Sequence, residues 1–336
     1  MSEQDASAVH CSIILLTKNA RPTIVEVLEA VLRQAPPPTF ELILIDSGST
    51  DGTWEIAGSY PIRTHRILPQ EFNHGETRNL GARLASPAST YLVYLTQDAT
   101  PLEGWLDNLL RPLQADERVA GAFSRHVPRP TCAPSMARLM TTEWEQAGTP
   151  ERVVKILTNL HEYERQQAYF AYFSNTSSAI RRTVWQAHPF RPVEFAEDAD
   201  WADRVLRAGY ALVYEPASRV LHSHDYSLWQ QFAQNVDHAR AMQHIHHPPE
   251  YAVVHPSRFL RRLSEQTLKD WRYISSMEIS TARKARWVLH APLWQLATEA
   301  GIFVGAHAEH LPASLVGLMS RQARVRGNRQ HTPRRK

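Results

Sequence analysis

Asp98 is the first side chain in this sequence whose placement points to chemistry. It follows the run Tyr91–Leu95, five apolar or aromatic residues of the kind that form a strand buried on both faces. A carboxylate just past the carboxyl end of such a strand lies where open α/β sheets bind ligands, and its oxygen suits Mg²⁺ or Mn²⁺. The alternative interpretation is that Asp98 only caps the next helix. Asp98 and its neighbours alone leave both interpretations open.

The elements that must position Asp98 are strands separated by helices. Two strand–loop–helix units near the N-terminus imply parallel strands with right-handed crossovers, so we predict an α/β fold with a mostly parallel sheet. Residues 135–170 are mostly helical in composition, and the chain reads as helices from Leu228 onward. The other predicted strands are Ser12–Thr17, Glu41–Ile45, Ile62–Leu68, Val119–Phe123, Phe173–Ile180 and Ala211–Tyr214, after which Val220–Asp225 closes the unit. The predicted helices are Arg21–Gln34, His74–Ala85, Leu102–Leu113 and a helix from Glu197 to Ala208.

The common phosphate-binding loops of nucleotide enzymes are missing from the sequence of this sheet. The segment after the first strand, Leu16–Ala20, contains no glycine, and no Walker A pattern occurs. The charge of a bound diphosphate must therefore be met in another way. A divalent metal ion on Asp98 is the economical solution.

Composition and charge separate the C-terminal part from the rest of the chain. Of the 336 residues, 43% are hydrophobic, so a sizeable core is expected, and the two cysteines fit no metal or disulfide pattern. We expect a cytoplasmic protein, since no signal peptide is recognisable. Residues 1–250 carry a balance of −7, whereas residues 251–336 hold 15 Lys/Arg against 5 Asp/Glu, a balance of +10. Such a basic part is typical of contact with nucleic acid or anionic lipid headgroups.

Six segments of the sequence, taken in order, resemble inverting family 2 glycosyltransferases of the GT-A fold. The similarity covers roughly residues 10–240, and the pattern NHGxTRN, TQDA and a closing HSH is most similar to bacterial rhamnosyltransferases of polysaccharide assembly. The six segments are SIILLTKN, LILIDSGSTDGT, FNHGETRNLGARLA, YLTQDATP, FSNTSSAIRR and FAEDADWADRVLRAGY.

The resemblance implies a donor-nucleotide site at the ends of the first strands. Thr17 and Asn19 lie where the first strand meets the nucleotide in that family. Asp46 matches the acid that contacts the nucleotide base in that family, and Arg78 matches the arginine that contacts the same base. The alternative interpretation of Asp46 is a residue that only shapes its turn. Thr96, in the same region, is also expected to lie at the donor nucleotide.

The resemblance also implies a metal site and a catalytic base. Asp98 matches the last acid of the DxD metal motif, whose first acid is replaced by Thr96. His222 matches a metal-binding histidine of some relatives, with His224 as the second candidate. Asp198 matches the general base of the ED motif, a group that inversion requires. The alternatives are a structural histidine at 222 and, for Asp198, a residue that only complements the helix dipole. Asp200 and Trp201 are expected on the acceptor side or in the core.

Together these observations predict a metal-dependent transferase at the cell envelope. The expected donor is TDP-L-rhamnose, the acceptor is a glycan or lipid-linked glycan, and Mg²⁺ or Mn²⁺ is the cofactor. The alternatives are another donor such as a UDP-sugar, or a GT-A-like protein that binds glycan or nucleotide without turnover. A nucleic-acid partner would explain the basic tail but neither the acidic body nor the ED motif.

The predicted domain organisation follows the same evidence. We expect a GT-A domain over residues 1–250, with a nucleotide-binding half at about 10–130 and an acceptor half at about 131–250. Residues 251–320 are predicted to be helical and to contact the inner face of the cell membrane peripherally, the alternative being a packing subdomain. Residues 321–336, with seven Lys/Arg and no acid, are predicted to be a disordered basic tail.

Overall fold

The computed structural model describes residues 10–34, 40–143, 151–193, 196–245 and 256–320. The chain divides into two compact units. One comprises residues 1–129 and 144–223, and the other comprises residues 130–143 and 224–336. The predicted basic tail lies outside the described residues, and the predicted boundaries at residues 130, 250 and 320 stay a prediction.

Short strands alternate with helices in the first unit, as the apolar runs predict. Its described strands are β1 (Cys11–Thr17), β2 (Phe40–Asp46), β3 (Arg63–Arg66), β4 (Tyr91–Thr96), β5 (Thr100–Pro101), β6 (Val119–Val127), β7 (Val153–Ile156), β8 (Ser177–Arg181) and β9 (Ala211–Leu221). Its described helices are α1 (Ile24–Leu32), α2 (Thr53–Ala57), α3 (His74–Leu84), α4 (Trp105–Ala115), α6 (Leu160–Arg165), α7 (Gln167–Phe170), α8 (Arg182–Ala187) and α9 (Glu197–Arg207); α5 (Pro134–Arg138) belongs to the second unit.

Among the described residues, nine strands form one mixed sheet, which confirms the predicted α/β fold. The order is β3-β2-β1-β4-β8-β6-β9-β5, with β7 paired to β9. The first four of these strands are parallel, whereas β8 is antiparallel to both β4 and β6. Because parallel strands end at one edge, the register places Thr17 opposite Asp46 and Leu16 opposite Thr96 there.

Helices pack on both faces of this sheet and bury it. One apolar cluster contains β1, β4 and the helices α1 and α4, with Trp105 fully buried. The other contains α9 and the segment before β8, with Trp201 fully buried. A strand covered on both faces must be apolar along its whole length, which is why Tyr91–Leu95 is a continuous run.

The structure corrects three predicted elements. Residues 135–170 contain a strand, β7, which pairs antiparallel with β9. The strand predicted from Phe173 begins only at Ser177, since the backbone before it is engaged elsewhere. The short strand predicted at Ala211–Tyr214 is longer than expected and continues to Leu221 as β9. A register shift against β6 accommodates its Pro216, as bulges commonly do.

The second unit is helical in its described part. Besides α5 it contains α10 (Leu228–Ile245), α11 (Pro256–Ser276), α12 (Thr281–Ala306) and α13 (Ala313–Met319). Buried Trp294 packs in a small core with Met136 and Met140. In the described ranges, none of the helices combines the length and the apolar character that crossing a membrane demands.

Candidate active site

The loops after β1 and β2 are tied together by polar contacts. Asn19 has a left-handed backbone with φ 51°, which asparagine tolerates better than most residues. Its N–H donates to Ser49 Oγ at 2.8 Å, and its Oδ1 accepts from the N–H of Thr50 at 2.9 Å. Thr17, at the end of β1, is buried beside the same loop. The residues predicted to meet the nucleotide from the first strand thus lie at the predicted edge of the sheet.

Asp46 is fully buried and holds the loop that follows β2. One carboxylate oxygen accepts from the N–H of Gly48 at 3.0 Å and of Ser49 at 2.9 Å. The same oxygen lies 3.2 Å from Nε of Arg66. Gly48 has φ +84°, and a Cβ there would meet the ring of Pro69 at 2.7 Å. These contacts fit the turn interpretation of Asp46, and its contact with a base stays a prediction.

Asp98 and His222 meet at the carboxyl ends of β4 and β9. The Nε2 atom of His222, a buried side chain, lies 3.5 Å from Oδ1 of Asp98. The hydroxyl of Thr96 donates to the same oxygen at 2.9 Å. His224, the second candidate, follows two residues further along the chain. The carboxylate and imidazole donors are therefore close enough to bind one divalent cation.

Two residues that sequence reasoning missed hold the Asp98 loop. The side chain of Gln97 contacts the backbone N–H and carbonyl of Lys18 at 2.6 and 3.1 Å, joining this loop to the loop after β1. Arg129 donates to the backbone carbonyl of Asp98 at 3.0 Å and to the hydroxyl of Thr100 at 2.7 Å. Gln97 lies inside the TQDA pattern, so its motif was noticed, whereas Arg129 follows β6 without any local signal.

The candidate catalytic residues lie at the start of α9. Ala196, directly before the ED pair, has a left-handed backbone with φ 58°, an unfavourable conformation for alanine. Glu197 forms an ion pair with Arg78 at 2.8 Å, and both side chains are buried. Arg78 also donates to the carbonyl of His74 at 3.1 Å. Arg78, which is predicted to contact the nucleotide base, is thus held at the ED motif, and its role at the nucleotide stays a prediction.

Asn175 links the two acids of the motif. Its N–H donates to Oδ2 of Asp198 at 3.2 Å, and its side-chain amide lies 3.4 Å from Oε1 of Glu197. This engagement explains why the strand β8 begins only after it. The next residue, Thr176, accepts from the N–H of Thr96 at 3.1 Å. One short segment therefore connects the ED motif with the end of β4, where Asp98 follows.

The two acids have opposite electrostatic environments. Burial opposes ionisation of Glu197, but the guanidinium of Arg78 overrides it and lowers the pKa of Glu197. Asp198 retains part of its surface, yet burial first and the charge of Glu197 second raise the pKa of Asp198 to about 7. A pKa near the working pH is the value that suits a general base.

The two remaining residues of the segment are structural in their described contacts. Asp200 forms an ion pair with Arg204 at 3.0 Å on the same helix. Trp201 is fully buried, and its Nε1 donates to the carbonyl of His188 at 2.9 Å. Of the two places considered for Trp201, the core is therefore the one observed.

Comparison with known proteins finds one family match and two similar rhamnosyltransferases. Residues 12–177 match the family described as "Glycosyl transferase family 2". The chain is 34% identical over 215 residues to the O-antigen chain rhamnosyltransferase WbaN of Salmonella anatum, a match that covers 63% of this chain and 65% of that protein. It is 28% identical over 229 residues to RfbN of Salmonella typhimurium, also an O-antigen chain rhamnosyltransferase, covering 67% and 70%. The chain thus spans just under two thirds of the length of WbaN.

Two solved structures share the fold. Glucosyl-3-phosphoglycerate synthase from Mycobacterium tuberculosis, solved with phosphoglyceric acid, is 20% identical with a TM-score of 0.51, covering 74% of this chain and 84% of that one. GalNAc-T7, solved with UDP, GalNAc and Mn²⁺, is 14% identical with a TM-score of 0.50, covering 84% and 54%. At these identities the likeness bears on the fold alone, and it confirms the predicted GT-A architecture.

Proposed function

We propose that the protein is an inverting glycosyltransferase, on the premise that residues 12–177 match the family described as "Glycosyl transferase family 2". The observation that carries the proposal is the arrangement around Asn175. The segment Asn175–Thr176 is hydrogen-bonded to Asp198, an acid whose pKa is raised, and also to the end of β4. A proton acceptor and a candidate cation site at one sheet edge are what nucleotide-sugar transfer requires.

Asp198 is the proposed general base. The acceptor hydroxyl oxygen attacks the anomeric carbon of the donor sugar and forms the new glycosidic bond, while its proton passes to the carboxylate of Asp198. The bond from that carbon to the diphosphate breaks, and its electron pair leaves with the diphosphate oxygen. Glu197 is a weaker candidate, because its pairing with Arg78 favours the ionised form and so lowers its basicity.

Asp98 and His222 are the proposed ligands of the divalent cation, with His224 as a further candidate. A bound cation would offset the negative charge of the leaving diphosphate. The donor set mixes a carboxylate with imidazole nitrogen. Mg²⁺ prefers oxygen ligands throughout, so we propose Mn²⁺ as the better fit of the two. The Thr96 hydroxyl, in place of a second acid, orients the Asp98 oxygen rather than adding a charge.

Thr17, Asn19, Asp46 and Arg78 are the proposed contacts to the donor nucleotide, with Thr96 beside them. The support is their position: the first three lie at or just after the carboxyl ends of β1 and β2, at one sheet edge. For Arg78 there is a further argument. Its buried Nε has no hydrogen-bond partner in the described part of the chain, which leaves one donor for a ligand.

We propose L-rhamnose as the transferred sugar and TDP as the nucleotide, on the strength of the two rhamnosyltransferase relatives. The second candidate is another donor, such as a UDP-sugar. For the acceptor we propose a glycan on a lipid carrier at the inner face of the cell membrane, because relatives act on O-antigen chains and the C-terminal part is basic. A binding protein without turnover is disfavoured by the presence of both Asp98 and Asp198.

The test is a screen of nucleotide-sugars read as free nucleoside diphosphate. TDP-rhamnose should give the fastest release, and Asp198→Asn should lose turnover while it retains nucleotide binding. Faster release from a UDP-sugar would replace the donor assignment but leave the reaction class intact. Nucleotide binding without release from any donor would favour the non-catalytic alternative.

A further inference from the structure

The described part of the second unit exposes large apolar side chains on two consecutive helices. On α12, Leu289 is 76% and Leu293 52% exposed, and Leu296 follows on the same face one turn later. On α11, Leu268 and Trp271 are also exposed. Scattered single leucines on a surface are ordinary, but five large apolar residues on adjacent helices are not.

The exposed sides of the two helices are joined. Nε1 of Trp271 on α11 donates to the backbone carbonyl of Val288 on α12 at 2.9 Å. Trp271 therefore lies next to the start of the apolar row that Leu289 begins. We call Leu268, Trp271, Leu289, Leu293 and Leu296 the hairpin face.

The opposite side of α12 is already occupied within the unit. A Cβ on Gly301 would lie 2.4 Å from the carbonyl oxygen of Phe232, and one on Gly305 would lie 2.5 Å from that of Val236. The backbones of α10 and α12 thus approach closely along this side. Ala291, Trp294 and Thr298, on the side of α12 away from the hairpin face, are buried. The leucines of the hairpin face therefore lie on the outer side of the helix.

The charge next to the hairpin face is positive. Residues 256–306 contain eight Lys/Arg and four Asp/Glu. Two of these acids point inward: Asp270 pairs with Arg138 at 2.5 Å, and Glu299 pairs with Arg262 at 3.0 Å. Beside the leucines, Lys269, Arg272, Arg283 and Arg286 are exposed.

We propose that the hairpin face is a docking surface for a lipid bilayer with anionic headgroups. Exposed leucine and tryptophan beside exposed arginine and lysine match the two layers of such a surface, the acyl boundary and the phosphate layer. The charge complementarity selects an anionic membrane over a neutral one. The inference rests on the proposed function for its purpose, since a lipid-linked acceptor is presented at that surface.

The experiment is co-sedimentation of the full-length protein with vesicles. Vesicles of phosphatidylcholine with phosphatidylglycerol should bind the protein, and vesicles of phosphatidylcholine alone should bind it much less. The double variant Leu289→Ser/Leu293→Ser should weaken binding by at least about tenfold, since two apolar anchors are lost. The matched control Leu68→Ser/Leu160→Ser changes leucines of the first unit that are 55% and 53% exposed, and it should bind like the parent.

A second variant and two further readouts separate the outcomes. Arg272→Gln/Arg286→Gln should remove the preference for anionic vesicles and its dependence on salt. Donor hydrolysis, read as free nucleoside diphosphate, should be unchanged in all these variants, so failure to bind vesicles is distinguishable from failure of the proposed chemistry. Equal vesicle binding by parent and Leu289→Ser/Leu293→Ser would overturn the proposal. So would a dimer in sedimentation equilibrium that this variant dissociates without changing vesicle binding.

Discussion

The rate of sugar transfer should rise with pH along an acid limb centred near pH 7. Asp198 must be ionised to accept the proton of the acceptor hydroxyl, and burial together with Glu197 raises the pKa of Asp198 to about 7. A single group with that pKa is ionised to about a tenth at pH 6 and about nine tenths at pH 8, so kcat/KM should rise about tenfold between them. An aspartate with an ordinary pKa would give a flat profile over this range.

Glu197→Gln tests the cause of this limb. The substitution removes the negative charge that helps to raise the pKa of Asp198, and it leaves the positive charge of Arg78 unbalanced. Both changes favour ionised Asp198, so the limb should move to lower pH. The assay is release of nucleoside diphosphate at low donor concentration in the presence of acceptor. A flat profile from pH 5 to 8, or a limb that stays in place in Glu197→Gln, would refute the reasoning.

Asp198→Asn tests the assignment of the base itself. It keeps the size of the side chain and removes its basicity, so turnover should fall about 10²–10⁴-fold while donor affinity changes little. Activity near the parent level in Asp198→Asn, combined with an inactive Glu197→Gln, would place the base one residue earlier. If neither substitution reduced turnover, the ED segment would be structural.

Three further outcomes are expected. Because the pKa of Asp198 is raised in the folded protein, its ionised form destabilises the fold; this penalty is absent below about pH 4 and complete above about pH 7. Between pH 4 and pH 8, the free energy of unfolding of Asp198→Asn, measured in urea, should therefore rise by about 1–2 kcal/mol relative to that of the parent, a figure reduced for the partial exposure of Asp198. A difference that does not vary with pH would contradict this. Arg78→Met should lower the free energy of unfolding by about 3–5 kcal/mol, because it leaves the buried carboxylate of Glu197 unpaired, and Arg78→Met/Glu197→Gln should recover part of the loss. EDTA should abolish transfer, and added Mn²⁺ should restore it. His222→Gln should raise the Mn²⁺ concentration required for half-maximal activity by at least about tenfold. Full activity in the presence of chelator would exclude the metal role.

Local patterns in the sequence were sufficient for most of the fold. The strands β1, β2 and β4 are continuous apolar runs because helices cover both faces of the sheet, so their composition alone predicts them. The same run places Asp98 just past the carboxyl end of β4, whereas its role as a metal ligand stays a prediction. Elements whose residues meet competing demands were predicted less well. The strand β8 starts late because the backbone before it hydrogen-bonds to Asp198.

The electrostatics of the candidate site were decided only by the tertiary structure. Nothing in the sequence near Arg78 indicates that α3 delivers it to the start of α9, where it pairs with Glu197 and lowers the pKa of that acid. Nor does the sequence around Asn175 indicate that its N–H meets Asp198. Strands and helices follow from the spacing of neighbouring residues, whereas a pKa depends on burial and on charges brought close by chain crossovers. The sequence therefore determined which acids are present, and the packing of α3 and α9 decided the electrostatic environment in which each of them ionises.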